Sequence, residues 1–143
     1  MDYRSVMQIA GAGMSLEKRR VDVAALNLAN MHASNPAGEA AYVPQHVSAK
    51  PVQANFSRAL GLAEPAMTPR EVQLVGSNKA SRLVHDPGHP HANAEGFVAY
   101  PAVDQATEML TVTTALRAYE ANVAVASTAK LMAAKALEIG GQS

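Results

Sequence analysis

A mainly α-helical fold with a small β-containing middle is what this sequence predicts, and three observations carry the prediction. Apolar residues recur at seven-residue spacing near the N-terminus, a longer series alternating by three and four fills the C-terminal stretch, and Pro, Gly and Asn punctuate the segment between them. The chain then divides into a first helix within 1–34, an irregular or β-forming segment over 35–100, and a long second helix within 101–143.

In the first stretch Met7, Met14, Val21 and Leu28 form one stripe, with Ala10, Ala24 and Met31 at intervening positions and Glu17 as its interruption. A second series, Ile9, Leu16 and Val23, runs two residues later with Ala12 and Leu26 beside it. Two residues turn an α-helix by about 200°, so the second stripe lies on nearly the opposite face and one partner helix cannot cover both. A helix over residues 5–30 spans about 39 Å. Its Gly11 and Gly13 each cost up to about 1 kcal/mol relative to Ala, which is easiest to explain if another backbone passes close by.

The C-terminal series is Met109, Val112, Leu116, Tyr119, Val123, Ala126, Ala133 and Leu137, with Lys130 the one polar member. Asp104, just after Pro101, caps the start and Gly140-Gly141 ends it. The resulting helix of about 36 residues is about 54 Å long and outruns the first. The two helices are expected to pair as a coiled-coil-like stem, and their named apolar residues form the candidate assembly interface. The same periodicity also suits an ordinary two-helix hairpin. A two-sided first helix and an overlong second one favour partners or a polymer, because both leave apolar surface that one chain cannot bury.

Between the helices, Asn35-Pro36-Ala37-Gly38 ends the first pattern. Strand-like runs follow at Tyr42–Ser48, Glu71–Val75, Arg82–His85 and Phe97–Tyr100, with one helical turn expected at Phe56–Leu60. Their pairing is not readable from the sequence.

Composition narrows the chemistry. Twelve basic residues balance twelve acidic ones, so no net field attracts nucleic acid or anionic lipid, and Lys18-Arg19-Arg20 lacks the aromatics of a nucleic-acid site. Without Cys there are no disulfides, thiolate metal sites or thiol nucleophile. The opening Met1–Ser5 lacks a basic and then apolar signal pattern, so general secretory export is not expected. No Gly-x-Ser-x-Gly elbow is present, and Gly11-Ala12-Gly13 sits in a helical pattern rather than after a strand, which removes a phosphate loop. The dense polar run is His85-Asp86-Pro87-Gly88-His89-Pro90-His91. Zinc accepts such ligands, but two prolines stiffen the loop and no distant ligand completes a set, so a turn is the expectation. No catalytic residue, metal, cofactor or small-molecule substrate is expected.

Two segments resemble a known family. Val23-Ala24-Ala25-Leu26-Asn27-Leu28-Ala29-Asn30 resembles the N-terminal signature of flagellar rod and hook axial proteins. Asp86-Pro87-Gly88-His89-Pro90, Gly96-Phe97-Val98, Tyr100–Asp104 and Arg117-Ala118-Tyr119-Glu120-Ala121-Asn122-Val123 resemble the C-terminal half of the proximal rod members. The motif residues carried over are Asn27, Leu28, Ala29, Asn30, Asp86, Pro87, His89, Pro90, Gly96, Arg117, Tyr119 and Asn122. Ala102 departs from the family's usual Asn, and His85 and His91 lie outside its pattern. The resemblance implies a structural, torque-transmitting subunit of the basal-body rod, with terminal helices in the inner tube and the middle facing outward. It also implies export through the flagellum's own type III apparatus to the periplasm-spanning rod, with other rod subunits and surrounding basal-body proteins as partners. Another axial subunit is the alternative within the family, and a His-loop metal-binding protein the alternative outside it.

Overall fold

A computed structural model describes residues 3–36, 41–51 and 70–140. The element order is α1 (Tyr3–Asn30), β1 (Gln45–Pro51), β2 (Arg70–Gly76), β3 (Arg82–His85), β4 (Phe97–Tyr100) and α2 (Gln105–Gly140). Two long helices with short strands between them are the observed architecture.

Local chemistry explains where α2 begins. The Asp104 carboxylate accepts the Ala106 N–H at 3.3 Å and the Thr107 hydroxyl, and its carbonyl accepts the first helical bond, from the Glu108 N–H at 3.0 Å. The Ala106 N–H is one of the donors that a helix start leaves without an intrahelical partner. The Thr107 hydrogen bond, with the backbone bonds behind it, holds the Asp104 carboxyl below the usual carboxylate range. The helix reaches Gly140, and Gly141 lies outside the described residues. α1 ends differently. Asn30 turns its amide back to the Leu26 carbonyl at 2.8 Å, and the chain leaves through turns closed by Met31 N–H to Leu28 and Ala33 N–H to Asn30.

The strands form two two-stranded sheets, β1 with β2 and β3 with β4. β3 and β4 are antiparallel in the register Arg82↔Tyr100, Leu83↔Ala99, Val84↔Val98 and His85↔Phe97. The pleat turns Leu83 outward and pairs Val84 with the fully buried Val98. Both strands have the bounds expected from sequence, and β2 contains the expected Glu71–Val75. β1 begins three residues later than the expected Tyr42. Pro44 has no N–H for a ladder, and the Tyr42 side chain is committed to α1 instead. The helical turn expected at Phe56–Leu60 lies outside the described residues.

The chain separates into two compact units. One combines α1 up to Arg19, the end of β1 from Ala49, the start of β2 up to Gln73, and α2 from Thr114; the other combines α1 from Arg20, the rest of β1 and β2, the whole of β3 and β4, and the start of α2. The first unit buries small side chains, Ala10, Ala115 and Ala129, together with Glu17. Glu17 therefore belongs to the covered face of α1, where the apolar pattern makes it an interruption. The second unit buries Val23, Ala24, Asn27, Val98 and Glu108.

The glycines of α1 divide as well. A Cβ on Gly13 would stand 2.6 Å from the Asn122 Oδ1 of α2, so the glycine makes room for a side chain where the sequence suggests a backbone. Gly11 has nothing within 4 Å of a Cβ, and the expectation of a close neighbour there is not met.

Candidate assembly interface

Asn27 is the most completely satisfied side chain near the end of α1. Its Nδ2 donates to the Gln45 carbonyl at 2.8 Å, and its Oδ1 accepts the Gln45 N–H at 3.0 Å and the Tyr42 hydroxyl at 2.8 Å. The carboxamide thus bonds β1's first residue as a neighbouring strand would, and it is fully buried. Burial, and then the nearby Glu108 carboxylate, push the Tyr42 phenol above its ordinary range, which keeps it protonated as the donor to Asn27.

On α2 the buried line is Glu108, Ala115 and Ala129 at seven-residue spacing, with half-buried Asn122 between the alanines. This series is one residue ahead of Met109, Leu116 and Val123. Those three, with Tyr119 and Leu137, are exposed, Leu116 at 48%, Val123 at 42% and Leu137 at 77%. Val112 and Ala126 are half-buried. On α1, Met7 and Ile9 are exposed, Met14, Leu16, Val21 and Leu28 are half-buried, and Val23 is buried.

Sequence reasoning missed a second exposed series on α2, Val125, Met132 and Ile139, also seven residues apart. Val125 follows Val123 by two residues, a rotation of about 200°, so apolar side chains flank the buried alanine line on both sides. Leu110 and Leu131 add to the exposed apolar surface. The signal was available: the series Glu108, Ala115, Asn122, Ala129 repeats as strictly as the larger residues, but its members are small or polar. Two-sidedness, expected of α1, is found on α2 as well.

The motif residues serve different ends. Asn30 and Asn122 bond carbonyls one turn back, Asn122 to Ala118 at 2.9 Å. Asp86 accepts the His89 N–H through its carbonyl and donates its own N–H to Gly96, closing the loop between β3 and β4. Gly96 has φ +79°, and a Cβ there would lie 3.1 Å from the Pro87 side chain and 3.2 Å from His85 Nε2, so both conformation and space call for glycine. Ala29, Pro87, Pro90, Arg117 and Tyr119 are exposed, and Leu28 and His89 half-buried. His85 packs edge-on against Phe97 at 5.1 Å. Among the described residues no group of three or more His, Cys, Asp or Glu is placed to hold a metal ion. Among them, too, no helix is long and apolar enough to cross a membrane.

The family model of the flagellar basal body rod FlgEFG protein C-terminal matches residues 94–139, the segment holding most of α2. The flagellar basal-body rod protein FlgC of Escherichia coli O157:H7 is 36% identical over 141 residues, covering 98% of this chain and 99% of that protein. FlgC of Salmonella typhimurium is 34% identical with the same coverage, and FlgC of Bacillus subtilis 34% identical over 94% of this chain and 95% of its own length. With identity at this level along nearly the whole chain, the protein belongs to the FlgC family of flagellar basal-body rod proteins.

Proposed function

We propose that this chain is a structural subunit of the flagellar basal-body rod that enters the assembly through its terminal helices and transmits torque without chemistry of its own. The observation that carries the reading is the pair of exposed heptad series on α2, Met109–Leu116–Val123 and Val125–Met132–Ile139, left open while alanines fill the buried line. A helix with apolar surface on both flanks has two faces to offer to neighbours, as a subunit inside a polymer requires. The interface extends to Met7 and Ile9 of α1, which are also exposed.

In this reading the two helices pair as a coiled-coil-like stem, residues 1–34 and 101–143 supply the rod core, and residues 35–100 face outward. The close approach of Gly13 and Asn122 supports the pairing. The partners are other rod subunits and surrounding basal-body proteins, and the place is the periplasm-spanning rod, reached through the flagellar type III apparatus. The names of the full-length relatives support the basal-body location. Deleting the gene and inspecting the cells for motility and for rods tests the proposal: loss of both, restored by the intact gene, is expected, and normal rods in the deletion strain would overturn it.

A further inference from the structure

The histidine run holds a feature that the assembly reading does not use. The His89 ring nitrogen Nδ1 accepts the backbone N–H of His91 at 3.0 Å. A nitrogen that accepts must carry no proton, so His89 is bound as the neutral ring with its proton on Nε2. Consecutive turns surround it, His89 N–H to the Asp86 carbonyl and Ala92 N–H to the His89 carbonyl. His91, the residue so fixed, places its own Nδ1 3.0 Å from the Ser34 hydroxyl, in the segment that leaves α1.

We propose that His89 is an acid-sensitive latch, whose neutral ring holds the 86–96 loop against the segment following α1 and whose protonation releases it. Protonation at Nδ1 removes the acceptor and sets two N–H groups facing one another, so the His91 backbone loses its tie. The His91 ring stands edge-on to His89 at 5.3 Å, and when both are protonated the two positive rings repel. From β4, Tyr100 presents a neutral ring at 6.4 Å, with the Arg82 guanidinium of β3 over that ring at 6.0 Å. Asp86 and Glu95 are the anions of the loop itself. The Asp86 carboxylate lies over Gly88, and an anion there acts in the same direction as acidification, favouring release. Ser34, from the α1 exit, is uncharged.

The test uses the full-length chain labelled with 15N on its histidine rings and backbone. Long-range ring correlations are expected to show neutral His89 protonated at Nε2 at pH 8. On acidification the His91 amide is expected to lose about tenfold in exchange protection, the worth of one hydrogen bond, with the midpoint of His89 protonation. In His89→Asn, whose carboxamide oxygen accepts without titrating, that pH-dependent loss should vanish. A neutral His89 carrying its proton on Nδ1 would overturn the proposal, as would an unchanged loss of protection in the variant. Should the variant fail to fold, the ring tautomer and the coincidence of midpoints in the unmodified chain decide the matter.

Discussion

Around Asn27 the buried polar side-chain atoms are hydrogen-bonded within the chain, whereas along the second half of α2 large apolar side chains stand exposed. Near Asn27 one carboxamide satisfies Tyr42 and both backbone groups of Gln45, and Val98 is fully buried in the same unit. Along α2 the buried positions go to Ala115 and Ala129, while Leu131, Leu137 and Ile139 face outward at 62%, 77% and 76% exposure. The contrast teaches that the two kinds of signature differ: polar motif residues such as Asn27 fix the fold of the single chain, and the large heptad residues of α2 are exposed, which is the surface the proposed assembly uses.

Substitutions that separate folding from assembly sharpen this contrast. The largest expected effect is on assembly. Val123→Asp places an unpaired charge in the proposed apolar contact, at a cost of several kcal/mol, so motility should be lost while the protein is still made. The isolated chain should change by only about 0.5 kcal/mol, as for exposed positions generally. Swimming cells carrying Val123→Asp would break the contrast. Asn27→Ala should do the reverse, lowering the chain's own stability by about 2–4 kcal/mol, because it removes the three hydrogen bonds of a fully buried carboxamide, two to the Gln45 backbone and one from Tyr42. Denaturant unfolding measures this, and a loss below about 1 kcal/mol would remove Asn27 from its place in the fold.

Smaller effects follow from the same geometry. Gly96→Ala should cost about 1–2 kcal/mol, from the left-handed backbone and the crowding by Pro87 and His85. Tyr42 adds a pH dependence. Burial and Glu108 raise its pKa above the ordinary 10.0, so the stability it contributes is complete below that value and is lost as pH rises through the folded-state value. Unfolding followed from pH 9 upward should show this loss, and Tyr42→Phe should lessen it. The smallest change has the opposite sign. Gly11→Ala meets no neighbour and should stabilise α1 by about 0.5–1 kcal/mol, while Gly13→Ala must displace Asn122 and should gain less or lose.

What the sequence revealed depended on how local the cause was. The Asp104 cap and the β3 and β4 bounds are set by residues a few positions apart, and they were legible. The Asn27 network joins residues 15 and 18 apart through hydrogen bonds that leave no periodic trace. Asn27 was visible through family resemblance, but its partners were not. The seam inside the chain escaped for another reason. Periodicity was weighed by large apolar residues, so Met109, Leu116 and Val123 outweighed the neighbouring line of Glu108, Ala115, Asn122 and Ala129 that is buried. The strand pairing was unreadable because short runs between turns do not specify their register partners.

The central claim is that both flanks of α2 are open in the single chain and covered in the rod. Because the protein contains no Cys, Val123→Cys and Met132→Cys, made separately, each carry one reactive thiol. The measurement is maleimide labelling of each variant as dilute monomer and in purified basal bodies from motile cells. Both thiols are expected to react readily in the monomer, to be protected in the assembled rod, and to regain reactivity when the rods are dissociated. Equal labelling of monomer and assembled rod at both positions would contradict the claim.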